Sequence, residues 1–253
     1  MNERESNNFL ARLCDQAGRY NDMVSYVKDI ARLSGKLNCD ERDLFYVATK
    51  NAVGPLRASW RKISSILQKD QPSGGQGRSF AAMDYGSKIQ LELETFCQGI
   101  LDILDNLLIP NAASEEFKVY YRRMKGDYHR YIAEVASGEK RNSAIAAADE
   151  AYKNAIHIAQ VELAPTHSTR LGLALNFSVF QYEILNTPEP AYHLAKQAIH
   201  DAMVNLDHLS EESYRDTTLI LQLLRDNLDL WALPDTEDGE VEAAGPCDDA
   251  NER

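Results

Sequence analysis

Apolar residues recur along most of this chain at intervals of three and four, and they do not alternate over the length of a strand. Prolines, glycines and short polar clusters cut the periodic stretches into nine helices. The pattern predicts helices over about 4–18, 20–33, 40–69, 80–108, 114–136, 142–163 and 168–185. An eighth opens at Thr187-Pro188, and a ninth spans 211–233. Asn38 is placed to cap the third helix, with Glu41 three residues on completing a reciprocal box. Asn111–Ser114 caps the fifth, and Gly138 stands at the C′ position after it. Thr187 reads as an N-cap with proline at N1. The run Gln71-Pro-Ser-Gly-Gly-Gln-Gly77 is a linker between the third and fourth helices. Short connections make consecutive helices antiparallel neighbours, so the fold class is all-α, a stack of helical hairpins. No repeat near 34 residues is present.

Two of these helices carry more than one patterned face. In the seventh, Leu173, Phe177, Phe180 and Ile184 form one stripe. Gly172, Leu175, Asn176, Val179 and Glu183 form a second, apolar in part and polar in part. The ninth has Leu221, Leu224 and Leu228 on one side. On the other lie Leu219, Ile220, Leu223, Asn227, Leu230 and Trp231. Such helices are either buried on most sides or have one face in the core and one lining a groove, where asparagines can bind a peptide backbone. The third helix aligns Lys50, Gly54, Arg57 and Arg61; the fifth aligns Arg123, Asp127, Arg130 and Tyr131. A basic stripe reads as a solvated face, or, in an acidic protein, as a local anion trap. Asp127, three residues before Arg130, is placed to orient guanidinium groups.

Charge sharpens the picture. The 253 residues carry a formal net charge of −12. Eight acidic residues and one basic one lie between Asp235 and Arg253, so the body carries only −5. The tail from 234 to 253 has no periodicity and reads as disordered. A mildly acidic body argues against nucleic acid as a partner. Cys14, Cys39, Cys97 and Cys247 share no metal-ligand spacing and read as free thiols in a reducing compartment. No signal peptide or membrane-spanning stretch is evident, which places the chain in the cytoplasm or nucleus, without membrane insertion. No P-loop, nucleophile elbow, metal cluster or cofactor fingerprint is found, so neither enzymatic activity nor a cofactor is expected.

Four segments, Asp43–Trp60, Lys125–Val135, Leu171–Leu185 and Leu209–Trp231, resemble the 14-3-3 family in the right order. The resemblance covers about residues 5–233 and extends to the acidic tail. It implies a single domain over 1–233 with nine antiparallel helices, an L-shaped protomer, and a cup-shaped homodimer or heterodimer. It also implies a non-enzymatic adaptor whose amphipathic groove binds phosphoserine or phosphothreonine segments of client proteins. The groove would draw on helices at about 40–69, 114–136, 168–185 and 211–233. By match to the family motifs, Lys50, Arg57, Arg130 and Tyr131 would hold the phosphate, and Asn176 and Asn227 the client backbone. Leu175, Val179, Glu183, Leu219, Ile220, Leu223, Leu230 and Trp231 would line the groove. Dimerisation would use residues within about 1–108, at Leu13, Arg19, Asp22, Ser59, Tyr85, Lys88 and Glu92. The expected cross-subunit ion pairs are Arg19–Glu92 and Asp22–Lys88. Ser59 follows Arg57 at a kinase-like spacing, so its phosphorylation would weaken the dimer. The acidic tail would fold over the basic groove when no client is bound.

The sequence also departs from the family pattern. Pro55 lies inside the third helix, where proline removes a hydrogen bond and usually kinks the chain. Leu56 stands where arginine is common, His129 where tyrosine is usual, and Ser168-Thr169 where Pro-Ile is frequent. None of these removes a phosphate ligand. The alternative reading is an α-helical interaction scaffold indifferent to phosphate.

Overall fold

In the computed structural model the capping signals act first. Asn38 Oδ1 accepts from the backbone N–H of Glu41 at 2.9 Å, and the Asn38 N–H donates to the Glu41 carboxylate at 3.0 Å. The same reciprocal box, between Asn2 and Glu5, opens the first helix. Residues 2–69, 76–206 and 209–232 are described, without the side chains of 69 and 76–79. The acidic tail and most of the glycine-rich linker, with the expectations placed on them, lie outside these residues. Nine α-helices and no strand are found among the described residues: α1 (Glu3–Gln16), α2 (Tyr20–Ser34), α3 (Cys39–Lys69), α4 (Gln76–Ile103), α5 (Glu115–Val135), α6 (Gly138–Glu162), α7 (Ser168–Val179), α8 (Pro188–Met203) and α9 (Glu211–Ala232).

Several ends differ from the expected ones. α4 starts at Gln76 rather than near 80, and α6 at Gly138 rather than 142. Gly138 has φ 58°, a left-handed turn that glycine makes without a Cβ clash, so α6 begins at once. The expected fourth and seventh helices both end in a π-helical turn, Leu104–Leu108 and Phe180–Ile184. Thr187 opens α8 ahead of Pro188, yet its hydroxyl donates to the Gln181 carbonyl at 3.0 Å rather than capping. α3 continues through the exposed Pro55 without a break.

The described residues form two compact units, those up to 113 with 131–142, and 114–130 with those from 143 to 232. In the first, α1 packs on α2, α2 on α3, and α3 on α4. Its interior holds Met23, Val27, Ile30, Phe45, Leu93, Ile100 and Leu101, each almost wholly out of water. In the second, Val119, Ala148, Tyr152, Ala155, Leu173, Phe177 and Phe180 join α5, α6 and α7. Leu171, Leu175, Ala195, Ile220, Leu221 and Leu224 join α7, α8 and α9. Every residue of α7 from Leu171 to Val179 is therefore buried. Gly126 has a geometric role here: a Cβ on it would fall 2.6 Å from the Tyr152 ring, so only glycine lets that ring reach α5.

Candidate functional site

Of the basic residues singled out on α3 and α5, Arg57, Arg123 and Arg130 are buried, while Lys50 and Arg61 are half-buried. In the first unit Arg57 is only 6% exposed. Its Nε and Nη2 donate to the two oxygens of Glu134 at 3.0 and 2.7 Å. This two-pronged pairing fixes the guanidinium plane. The same group lies 3.9 Å from the centroid of the Tyr131 ring, so it is held on a face as well as an edge. Arg61 reaches the second oxygen of Glu134 at 4.0 Å. Lys50 is half-buried, with its ammonium 5.6 Å from the Tyr46 ring centroid. Behind Arg57 lies the buried Cys97, whose thiol burial pushes far up; Arg57 only partly offsets this, and Glu134 and Glu94 add to it. That thiol stays protonated and inert near neutral pH.

In the second unit a polar network centres on Asp127. Arg130 is fully buried. Its Nε donates to the Tyr152 hydroxyl at 3.3 Å and its Nη2 to Asp127 at 3.4 Å. Tyr152 donates to Asp127 at 2.5 Å. Burial pushes the Tyr152 phenol well above its ordinary value, and the charge of Asp127 adds to this, so it serves as a fixed donor. The Asn176 amide nitrogen donates to both Asp127 oxygens at 3.0 Å. A carboxylate can only accept, so it dictates which way this amide faces and leaves its carbonyl oxygen available as an acceptor. Asn227, also buried, is the complement: its amide nitrogen is out of water and has no hydrogen-bond partner among the described residues. A further buried cation is Arg123, whose Nη1 lies where a Cβ on Gly172 would stand, at 2.3 Å.

The expected groove residues divide by exposure. Leu175, Val179 and Ile220 are essentially core residues. α7 is enclosed by α5 and α6 on one side and by α8 and α9 on the other, which accounts for the first two. Leu219, Leu230 and Glu183 are exposed, and Leu223 and Trp231 half-buried. Of the expected dimer residues, Leu13, Arg19, Ser59, Tyr85, Lys88 and Glu92 are exposed and Asp22 half-buried. Phe9, Met83 and Leu91 are exposed as well, so the first unit presents apolar side chains from both α1 and α4. Within this one chain Arg19 pairs with Asp22 at 2.5 Å. The expected cross-subunit pairs would have to replace that bond.

Sequence reasoning passed over Glu134 and Tyr152. Glu134 lies four residues after Arg130, a spacing that places it on the same side of α5. Tyr152 carried no signal beyond the neighbouring small residues of α6, although Gly126 on α5 marks where a large ring must fit.

A family model described as "14-3-3 protein" matches residues 10–232. The chain is 54% identical over 241 residues to the checkpoint signal transducer rad24 of Schizosaccharomyces pombe, covering 95% of this chain and 88% of that protein. It is 55% identical over 223 residues to the 14-3-3 family protein artA of Aspergillus flavus, covering 88% and 94% respectively. It is 52% identical over 242 residues to 14-3-3-like protein B of Nicotiana tabacum, covering 94% and 95%.

Proposed function

The chain belongs to the 14-3-3 family, a family of non-enzymatic adaptors that bind partner proteins in signalling, and from that membership we propose that it recognises clients phosphorylated on serine or threonine. In this reading Lys50, Arg57, Arg130 and Tyr131 take the phosphate. A phosphoserine brings about −1.5 to −2 charges and three acceptor oxygens. Each charge-assisted bond to it contributes about 1.5–3 kcal/mol, so several together discriminate strongly against an unmodified serine. Asn176 accepts from a client backbone N–H, Asn227 donates to a client carbonyl, and the exposed apolar residues of α9 add contact with little sequence preference.

The observation that carries the reading is the state of the two arginines. Both are buried, yet each is kept charged and oriented by a carboxylate on α5, Glu134 for Arg57 and Asp127 for Arg130. Buried ion pairs are weak sources of stability, so their retention is better explained by a ligand that needs fixed guanidinium groups. The orphaned amide of Asn227 supports the backbone-binding part independently.

We also propose that the chain acts as a dimer in the cytoplasm or nucleus, with itself or another family member. Leu13, Arg19, Asp22, Ser59, Tyr85, Lys88 and Glu92 lie in the interface. Two linked sites raise avidity for doubly phosphorylated clients by about 10²–10⁴ where both engage. Ser59 is exposed in the protomer, which makes it accessible to a kinase before assembly. Sedimentation of a Ser59→Asp variant should show a weakened dimer.

Fluorescence anisotropy with an Arg-x-x-pSer-x-Pro peptide tests the central claim. Tight binding that requires both the phosphate and Arg57 is expected. Equal binding of phosphorylated and unmodified peptides, or an unchanged affinity in Arg57→Ala, would favour the phosphate-blind scaffold.

A further inference from the structure

Away from the buried arginines, Tyr182, Tyr192 and Trp231 line a pocket together with Pro188, Glu189 and His193. All six belong to the second unit. Tyr182 lies in the π-helical turn after α7, residues 188–193 in the first turns of α8, and Trp231 in the last turn of α9. The pocket offers about 370 Å³ and is a shallow depression open to solvent. The Tyr182 and Trp231 rings stack with centroids 4.6 Å apart and planes at 12°, so each spends one face on the other and keeps its outer face and edges for other contacts. All three rings are half-buried, while Glu189 is exposed at the rim.

The chemistry of this lining selects a cation. Aromatic faces carry a negative quadrupole, and Trp and Tyr faces are the strongest side-chain attractors of a desolvated cation. The chain supplies its own example: the Lys196 ammonium stands 4.7 Å from the centroid of the Tyr192 ring. Glu189 adds a formal negative charge and makes no ion pair or hydrogen bond among the described residues. His193 at the rim and Lys196 behind Tyr192 are the opposing basic groups. An unmodified ammonium holds its water through three N–H donors, and the π walls offer those donors no lone pairs. An N-methylated ammonium has lost donors and is poorly hydrated, so it loses less on entering.

We propose that this pocket binds an N-methylated ammonium group, of the kind carried by a trimethyl-lysine side chain or by choline. It does not depend on phosphate recognition.

Trp231 provides the readout. In a Trp60→Phe background its fluorescence is titrated with choline, with a short trimethyl-lysine peptide and with the same peptide carrying unmodified lysine. Calorimetry on the unaltered chain repeats the titrations without any substitution. Saturable binding is expected for a methylated ligand, with the unmodified peptide weaker by about tenfold or more. Saturation by choline alone identifies a free small ammonium as the ligand; saturation by the peptide identifies a methylated protein segment. Tyr192→Ala and Glu189→Gln should each weaken binding by about fivefold, while Lys196→Met, which removes a like charge, should tighten it. Thermal melts of the variants separate loss of the site from loss of the fold. Equal binding of methylated and unmethylated peptides, no saturable binding at millimolar concentration, or indifference to both Tyr192→Ala and Glu189→Gln would overturn the assignment. Failure of phosphopeptide binding would leave these titrations unaffected, so the two readings fail separately.

Discussion

Replacing Asp127 by asparagine keeps the side-chain shape and removes only its charge and half of its acceptor capacity. The structure makes the consequences specific. Asp127 accepts from Tyr152, Arg130 and, on both oxygens, Asn176. An asparagine there retains one acceptor oxygen and presents an NH₂ to the remaining donors. Arg130, fully buried, loses the Asp127 carboxylate, and breaking a buried pair in this way costs about 3–5 kcal/mol. Against a total stability of about 5–15 kcal/mol this is a large fraction. For a chain of this size it corresponds to a fall in melting temperature of about 6–20 °C. Urea unfolding of the second unit, followed by Trp231 fluorescence, measures it. A cycle with Arg130→Gln separates the pair from its surroundings. The double variant should lose less than the sum of the single ones, because removing both charges removes the uncompensated one. A loss below about 1 kcal/mol in Asp127→Asn, or strict additivity in the cycle, would mean that the network is solvated and that Asp127 does not hold Arg130 in place.

Other consequences follow from single residues. Burial disfavours a charged Glu41, but hydrogen bonds from Arg4, the Asn38 backbone and Asn8 overcome this and hold its carboxyl at about 2, below the ordinary 4.5. Its contribution to stability is therefore complete above about pH 4.5 and lost as pH falls through about 2. Unfolding of Glu41→Gln should show a correspondingly shallower decline on the acid side, and identical acid limbs would rule the contribution out. Gly126→Ala gains helix propensity of about 1 kcal/mol but drives a Cβ into the buried Tyr152 ring, so chemical denaturation should show a net loss of about 1–3 kcal/mol. Any stabilisation would contradict the close approach. Asn227→Ala should lower phosphopeptide affinity about tenfold in anisotropy titrations while leaving the melting temperature nearly unchanged, since its amide nitrogen has no partner to lose. Alkylation under native conditions, mapped by mass spectrometry, should label the exposed Cys39 and spare the buried Cys97.

What the sequence revealed and what it hid follow a physical division. Features set within one helical turn were legible: the Asn38–Glu41 box, the Asp127–Arg130 pair and the stripe of Leu173, Phe177 and Phe180. Features set by distant partners were not. Glu134 is 77 residues from Arg57, and nothing in either neighbourhood announces the pairing. The two π-helical turns contain neither proline nor glycine, so local chemistry gives no warning of them. The second one carries Tyr182, whose ring stacks on that of Trp231. Pro55 is a different case: a local rule marks a lost backbone bond there, and α3 still runs past it as one helix. Its ring is exposed, and one missing backbone bond is a small term beside the packing of a 31-residue helix.

The same division explains why α5 is the decisive element. One helix carries Asp127, Arg130, Tyr131 and Glu134 within eight residues. Asp127 and Arg130 pack in the second unit, while Tyr131 and Glu134 pack in the first. Arg130 is thus paired with Asp127 in the second unit, and Arg57 with Glu134 in the first. A helix fixes the spacing of its residues with almost no freedom, because every turn is tied by backbone hydrogen bonds. Preorganising cations on such a scaffold avoids the rotamer entropy that a flexible lysine loop would lose on binding, about 0.5–1.5 kcal/mol for each long side chain. The cost falls instead on folding, as buried charge and an orphaned asparagine amide. Under the proposed function, the stability surrendered at Arg130, Asp127 and Asn227 is the cost of preparing the site for its ligand.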